Sequence, residues 1–155
     1  MKFLCDEMLK RLGRWLRAAG YDTLIEEEGA HDRALVQRAM REQRLLITRD
    51  RKLMEFREAP GVVVLLQSNT VQDCVHELTA RLGINWLFRP FTRCLVCNTL
   101  LTEAVPEQWC TVPQRSRAKI KQLFCCPQCG KLYWEGGHVR RMHDKLLIWG
   151  AKNSE

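Results

Sequence analysis

The chain contains no apolar run approaching the roughly 20 residues that a bilayer-spanning helix needs, so its 155 residues are read without a transmembrane segment. Its N-terminus, Met1-Lys2-Phe3-Leu4-Cys5-Asp6, meets acid too early for a signal peptide. Internal repeats and low-complexity segments are absent too, and nothing indicates secretion. Cytoplasmic residence with no membrane partner is the resulting expectation. What is present is 46% hydrophobic and 28% charged residues, enough for one respectable core and a small appendage. The formal charge of +7 favours a polyanionic partner, although ordinary surface lysine and arginine give the same number.

Apolar runs alternate with amphipathic ones. Lys2 to Cys5 reads as a first strand. From Glu7, apolar residues recur at Met8, Leu9, Leu12, Trp15, Leu16 and Ala19, one helical stripe closed by Gly20. Lys10, Arg14 and Arg17 fall on its other face, with Arg11 alongside, and Gly13 hints at close backbone approach. Asp22 to Glu26 reads as a second strand, followed by a helix with Leu35, Val36, Ala39 and Met40 inside. Leu45-Leu46-Ile47-Thr48 is a strand of the doubly buried kind. A short helix with Leu53, Met54 and Phe56, a strand from Val62 to Leu66, and a Thr70-capped helix to Leu82 complete the alternation. The pattern predicts a doubly wound, parallel α/β domain with helices on both faces, over residues 1–89. Residues 90–155 change in character to cysteines, prolines and scattered cations, and are read as a zinc ribbon with a C-terminal helix.

Three aspartates stand at strand-to-helix junctions: Asp6, Asp32 and Asp50. Each also reads as an N-cap, a role aspartate fills well. At one edge of one sheet, however, they would meet in an acidic pocket. Carboxylates about 5 Å apart repel by roughly 3 kcal/mol at an effective dielectric of 20, which a divalent cation reverses. Oxygen donors suit Mg²⁺ or Mn²⁺.

Eight cysteines in a reducing compartment point to metal rather than disulfides. Cys94-Leu95-Val96-Cys97-Asn98 and Cys126-Pro127-Gln128-Cys129-Gly130 are two knuckles whose four thiolates form a closed, structural zinc site. Cys125 competes with Cys126 for the register, and only Cys126 gives the two-residue spacing around Pro127. Asn98 and Gly130 tolerate the left-handed turn that follows each knuckle.

Taken together, Phe3-Leu4-Cys5-Asp6-Glu7-Met8-Leu9, Arg14-Trp15-Leu16-Arg17, Gly20-Tyr21-Asp22-Thr23, Leu46-Ile47-Thr48-Arg49-Asp50 and Tyr133-Trp134-Glu135-Gly136 with His138 resemble one family. It is the Mut-seven C-terminal RNase-domain family, a PIN-like ribonuclease domain with a C-terminal zinc ribbon. The resemblance implies cleavage of single-stranded or structured RNA, endonucleolytic by expectation, with Asp6, Asp32 and Asp50 as ligands of Mg²⁺ or Mn²⁺. Lys10, Arg14, Arg17 and Arg49 would then hold phosphates, or simply solvate a helix face. One departure stands out. PIN domains often carry a fourth acid or amide after the fourth strand, where this chain has Gln67, Ser68 and Asn69 and where Asp73 already serves a cap. The rival reading is a non-catalytic zinc-ribbon RNA-binding or ribosome-associated module, and a DNA-directed nuclease would share the same site.

Overall fold

β1 (Lys2–Cys5) divides its side chains between two apolar layers in the computed structural model, which describes residues 1–27 and 29–152. Phe3 and Cys5 enter one layer and Leu4 the other, the two-residue period of a strand covered on both sides. β2 (Asp22–Ile25) and β3 (Leu45–Thr48) flank β1, and β4 (Val63–Leu65) joins β3. Every pairing is parallel, in the order β2-β1-β3-β4. The chain leaves β1 in one direction and returns on its other side, so a crevice opens between the carboxyl ends of β1 and β3. Open α/β sheets bind ligands at such a switch point.

α1 (Lys10–Ala18), entered through a 3₁₀ turn at Glu7–Leu9, and α3 (Val71–Leu82) cover the Phe3 face with Leu12, Leu16, Val75 and Leu78. α2 (Asp32–Arg41) and a second 3₁₀ turn, Arg51–Glu55, cover the Leu4 face with Leu35, Val36, Ala39 and Leu53. The doubly wound architecture is therefore as expected. Met40 is not inside: it is exposed because Leu35, Val36 and Ala39 already fill the sheet-facing side of α2. Gly13 sits where a Cβ would come within 2.7 Å of Ile25, so α1 rides directly on β2.

Past Gly83, whose positive φ of 63° ends α3, the chain builds β5 (Thr102–Glu103), α4 (Pro106–Trp109), α5 (Gln114–Arg117), β6 (Leu123–Cys125) and β7 (Leu132–Trp134). The three strands form an antiparallel sheet. α6 (Gly137–Ala151) then returns to the first layer, where Leu146 and Trp149 are buried. Trp149 meets Trp15 edge-on at 4.7 Å and Trp86 at 5.3 Å. Such pairs contribute about 0.5–1.5 kcal/mol beyond area burial. The core thus runs across the division drawn at residue 90. No helix among the described residues is long and apolar enough to cross a membrane.

Candidate active site and metal centre

Asp6 follows β1 directly and Asp50 stands two residues beyond β3, placing both at the crevice. With Asp32, they line one small cavity of about 90 Å³, joined there by Glu7 and Glu26. The local bonds show how each arrives. Asp6 Oδ1 accepts from the Met8 N–H at 2.9 Å and Asp50 Oδ1 from the Lys52 N–H at 3.0 Å, so both cap 3₁₀ turns. Asp32 is no cap: His31 precedes α2, and Asp32 lies in its first turn with its carboxylate unpaired among the described residues. Buried Thr48 connects two of the three: its hydroxyl donates to Asp6 Oδ2 and accepts from the Asp50 N–H at 3.0 Å. Capping and pocket-building are therefore compatible, since each cap uses one carboxylate oxygen.

The sequence pattern does not single out Glu7 or Glu26. Glu26 had a signal, because it follows β2 just as Asp6 follows β1. It also lies 3.7 Å from Arg38. The segment after β4 supplies no acid to the pocket. Glu77 of α3 instead accepts hydrogen bonds from the Gln67 and Ser68 N–H groups and from the Ser68 hydroxyl, which fixes that loop.

The sulfurs of Cys94, Cys97, Cys126 and Cys129 all lie within 4.8 Å of one another. Cys94 and Cys129 are 3.6 Å apart, and Cys97 and Cys126 are 3.3 Å apart. These separations far exceed a disulfide bond of about 2.05 Å. They approach the roughly 3.8 Å edge of a tetrahedron with metal–sulfur bonds of about 2.3 Å. The two knuckles share one turn: the Asn98 N–H donates to Cys94 O and the Gly130 N–H to Cys126 O, each at 2.9 Å. Asn98 and Gly130 both take positive φ, 72° and 77°. Cys125 points elsewhere and accepts from Gln108 Nε2 at 2.8 Å, which decides the register. Among the described residues no carboxylate group is drawn together as tightly.

Electrostatics explains why this cluster calls for a cation. Burial raises the Cys97 thiol, but hydrogen bonding to Thr99 and to the neighbouring cysteines outweighs it and holds Cys97 at about 6. Cys94 is lowered as well, burial opposing and the Tyr133 hydroxyl prevailing. Cys129 goes the other way: the Lys131 amide lowers it, while burial and the surrounding sulfurs push it up to about 12. Four such thiols do not all ionise unless positive charge sits among them. Tyr133, whose oxygen accepts from the Leu95 N–H at 3.0 Å and meets Cys94 Sγ at 3.1 Å, braces the first knuckle.

The four cations expected at RNA part company. Lys10 and Arg14 are exposed on α1 and line neither the acidic pocket nor the cavity beside it. Arg49 lines that neighbouring cavity. Arg17 is buried, which corrects its assignment to a solvent-facing basic stripe. Its Nε donates to Thr23 O at 2.8 Å, and its Nη1 to Leu95 O and Val96 O at 3.0 and 2.9 Å. Arg17 therefore locks the first cysteine knuckle onto α1 and β2. Asn98 completes the joint, its Oδ1 accepting from the Thr23 N–H and its Nδ2 donating to Asp22.

A family model, the Mut7-C RNAse domain, matches residues 1–146. The chain belongs to this family. Membership makes cleavage of RNA the implied activity and RNA the implied substrate. The match runs from Asp6 through both cysteine knuckles and into α6, so the domain the family describes contains the acidic pocket and the four-cysteine cluster together. Comparisons with curated proteins and with solved structures found no match.

Proposed function

We propose that the chain is a Mg²⁺- or Mn²⁺-dependent ribonuclease, endonucleolytic in action, with one structural zinc. The observation that carries this reading is the shared cavity of Asp6, Asp32 and Asp50 at the sheet's switch point. The donor set fits a hard divalent ion: every charged group lining the cavity is a carboxylate, with Glu7 and Glu26 beside the three aspartates. The chemistry available when such an ion is bound is Lewis-acid activation of water and neutralisation of charge on the leaving oxygen. Asp50 keeps one oxygen beyond its cap and Asp32 keeps both, while Asp6 Oδ2 accepts from Thr48 and retains a second lone pair, so all three can contribute ligands. Thr48 is a positioning residue, holding the Asp6 carboxylate and the Asp50 backbone in one hydrogen-bonded unit. Zinc suits the four-thiol cluster, which has no open position for substrate and so serves structure. Residues 1–89 supply the reacting groups, while residues 90–155 hold the ribbon and lend α6 to the core.

Asp50→Asn tests the reading, because asparagine caps about as well as aspartate but is a poor metal ligand. Cleavage of cellular RNA in Mn²⁺ should fall at least about a hundredfold, given the several kcal/mol a catalytic ion supplies. Zinc content should stay unchanged. Equal cleavage by the variant overturns the proposal. RNA binding that survives loss of all three aspartates, without turnover in any divalent ion, would establish the non-catalytic module instead.

A further inference from the structure

A cavity of about 620 Å³ lies beside the acidic pocket and shares Met8 with it. Its walls come from α1, from the loop that enters α3, and from α6. The charged residues lining it are Arg11, Arg49 and Lys145, with no carboxylate among them. On the other side of the pocket, a cavity of about 570 Å³ shares Asp32 and sets three cations, Arg33, Lys52 and Arg57, against three acids, Asp32, Glu55 and Glu58. The acidic pocket therefore has one strongly cationic neighbour and one that is balanced.

The cationic side also holds an unmet donor. Arg49 Nη1 donates to Asn69 O at 3.2 Å, but Arg49 Nε is buried with no acceptor among the described residues. A buried donor without an acceptor costs free energy, and a charged one costs more. Lys145 lies 5.7 Å over the Trp15 ring and forms no ion pair among the described residues. Met8, 64% exposed on the ridge between the two cavities, offers an apolar surface to a base.

We propose that this cleft binds the sugar-phosphate backbone of the RNA on one side of the scissile bond, so that the strand crosses the acidic pocket in one direction. The inference rests on the ribonuclease reading and adds where the substrate lies. Three cations without a local acid favour a polyanion, whereas the pocket itself repels one, so the phosphates track to the side of the carboxylates. The cleft also gives the ribbon a part in binding. Lys145 is delivered by α6, which follows β7 of the ribbon and is pinned by the Trp149 indole donating to Gln72 Oε1 at 2.8 Å.

The experiment is fluorescence anisotropy with a labelled single-stranded RNA oligonucleotide, using the full zinc-loaded chain without added Mg²⁺ or Mn²⁺. Arg11→Ala/Lys145→Ala should weaken binding about tenfold or more. It should also flatten the dependence of log Kd on log salt by about 1.4, roughly 0.7 for each phosphate of a single strand that is no longer neutralised. Lys2→Ala/Arg41→Ala removes the same charge at the opposite, amino edge of the sheet and should change neither quantity. In cleavage assays the cleft variant should raise KM in step with Kd and keep kcat within about threefold. Equal losses in both double variants, or no RNA binding by the wild type, overturn the proposal. Cleavage with binding indifferent to the cleft variant sinks the cleft and spares the ribonuclease. Binding lost only in the cleft variant, with no cleavage in any divalent ion, does the reverse.

Discussion

The four cysteines and the three aspartates are both anionic clusters, yet the chain assembles them by different means. Each cysteine pair is placed by a single turn of five residues, so its two sulfurs are set by local geometry. The sulfurs finish within 4.8 Å of one another. The aspartates come from three separate segments, Asp6 and Asp50 each capping a 3₁₀ turn and Asp32 lying in the first turn of α2. Their sharing of a cavity is a property of the parallel sheet, through β1 and β3, and not of any short stretch. Groups placed by local turns finish close together, with Tyr133 and Arg17 bracing them from outside. Groups placed by a sheet edge stay looser.

The largest effect should come from breaking the tight cluster. Cys126→Ser is expected to abolish zinc binding and cost several kcal/mol, lowering Tm by about 10 °C or more at roughly 3 °C per kcal/mol for a chain of this size. Cys125→Ser should retain full zinc stoichiometry by metal analysis. Zinc lost from Cys125→Ser and retained by Cys126→Ser would reverse the register. Next in size is the joint between the two regions. Arg17→Met keeps the apolar stem but orphans the carbonyls of Thr23, Leu95 and Val96. It should cost about 2–4 kcal/mol by denaturant midpoint. Zinc should still bind but pass faster to a competing chelator, because the first knuckle is no longer clamped.

Much of the architecture is legible in the sequence for a local reason. Leu45-Leu46-Ile47 is apolar enough to be buried on both faces, Thr70 with Asp73 announces a helix start, and the knuckle spacings announce a metal. What the sequence hides is whatever depends on a second covering surface. The stripe on α1 is read against a sheet alone, so Arg17 counts as solvent-facing until the ribbon closes over it. Lys145 and Trp149 lie more than 130 residues from Arg11 and Trp15 in the chain's first helix region, and no periodicity links them. Glu26 is hidden by its own strand, being counted as its last residue when it lines the acidic pocket. Asp32, Asp6 and Asp50 look alike as caps. Only the backbone geometry separates the two that cap from the one that does not.

Thr48 tests whether the looser cluster depends on its hydrogen-bonded link. Thr48→Val keeps the shape and removes the hydroxyl between Asp6 and Asp50, and should raise the Mn²⁺ concentration for half-maximal cleavage about tenfold or more, as partners of metal ligands do. Thr48→Ser should restore it. A change in stability alone, with metal dependence unmoved, would reduce Thr48 to a packing residue.

The smallest effect belongs to Asp22, which joins Arg44 to the ribbon's Asn98 on the outer edge of β2. Burial raises its carboxyl, but hydrogen bonds from Arg44 and Asn98, with Arg44 and Arg93 as nearby charges, outweigh that and hold it below the usual carboxylate range. A carboxylate depressed in the folded state contributes stability that is fully present above its unfolded pKa of about 3.9 and is lost as pH falls through the lower folded value. Because Asp22 is a quarter exposed, the contribution should be under about 1 kcal/mol after solvent screening. Asp22→Asn keeps an acceptor for Asn98 while removing the titration. The stability gap between wild type and variant should therefore be greatest near pH 7 and close below about pH 4. Glu77, also depressed but held by Ser68, Gln67 and Arg81 away from this joint, titrates in both proteins and cancels from the difference. A gap that stays constant through that window would mean the edge is held by shape and neutral hydrogen bonds, with no contribution from the ion pair.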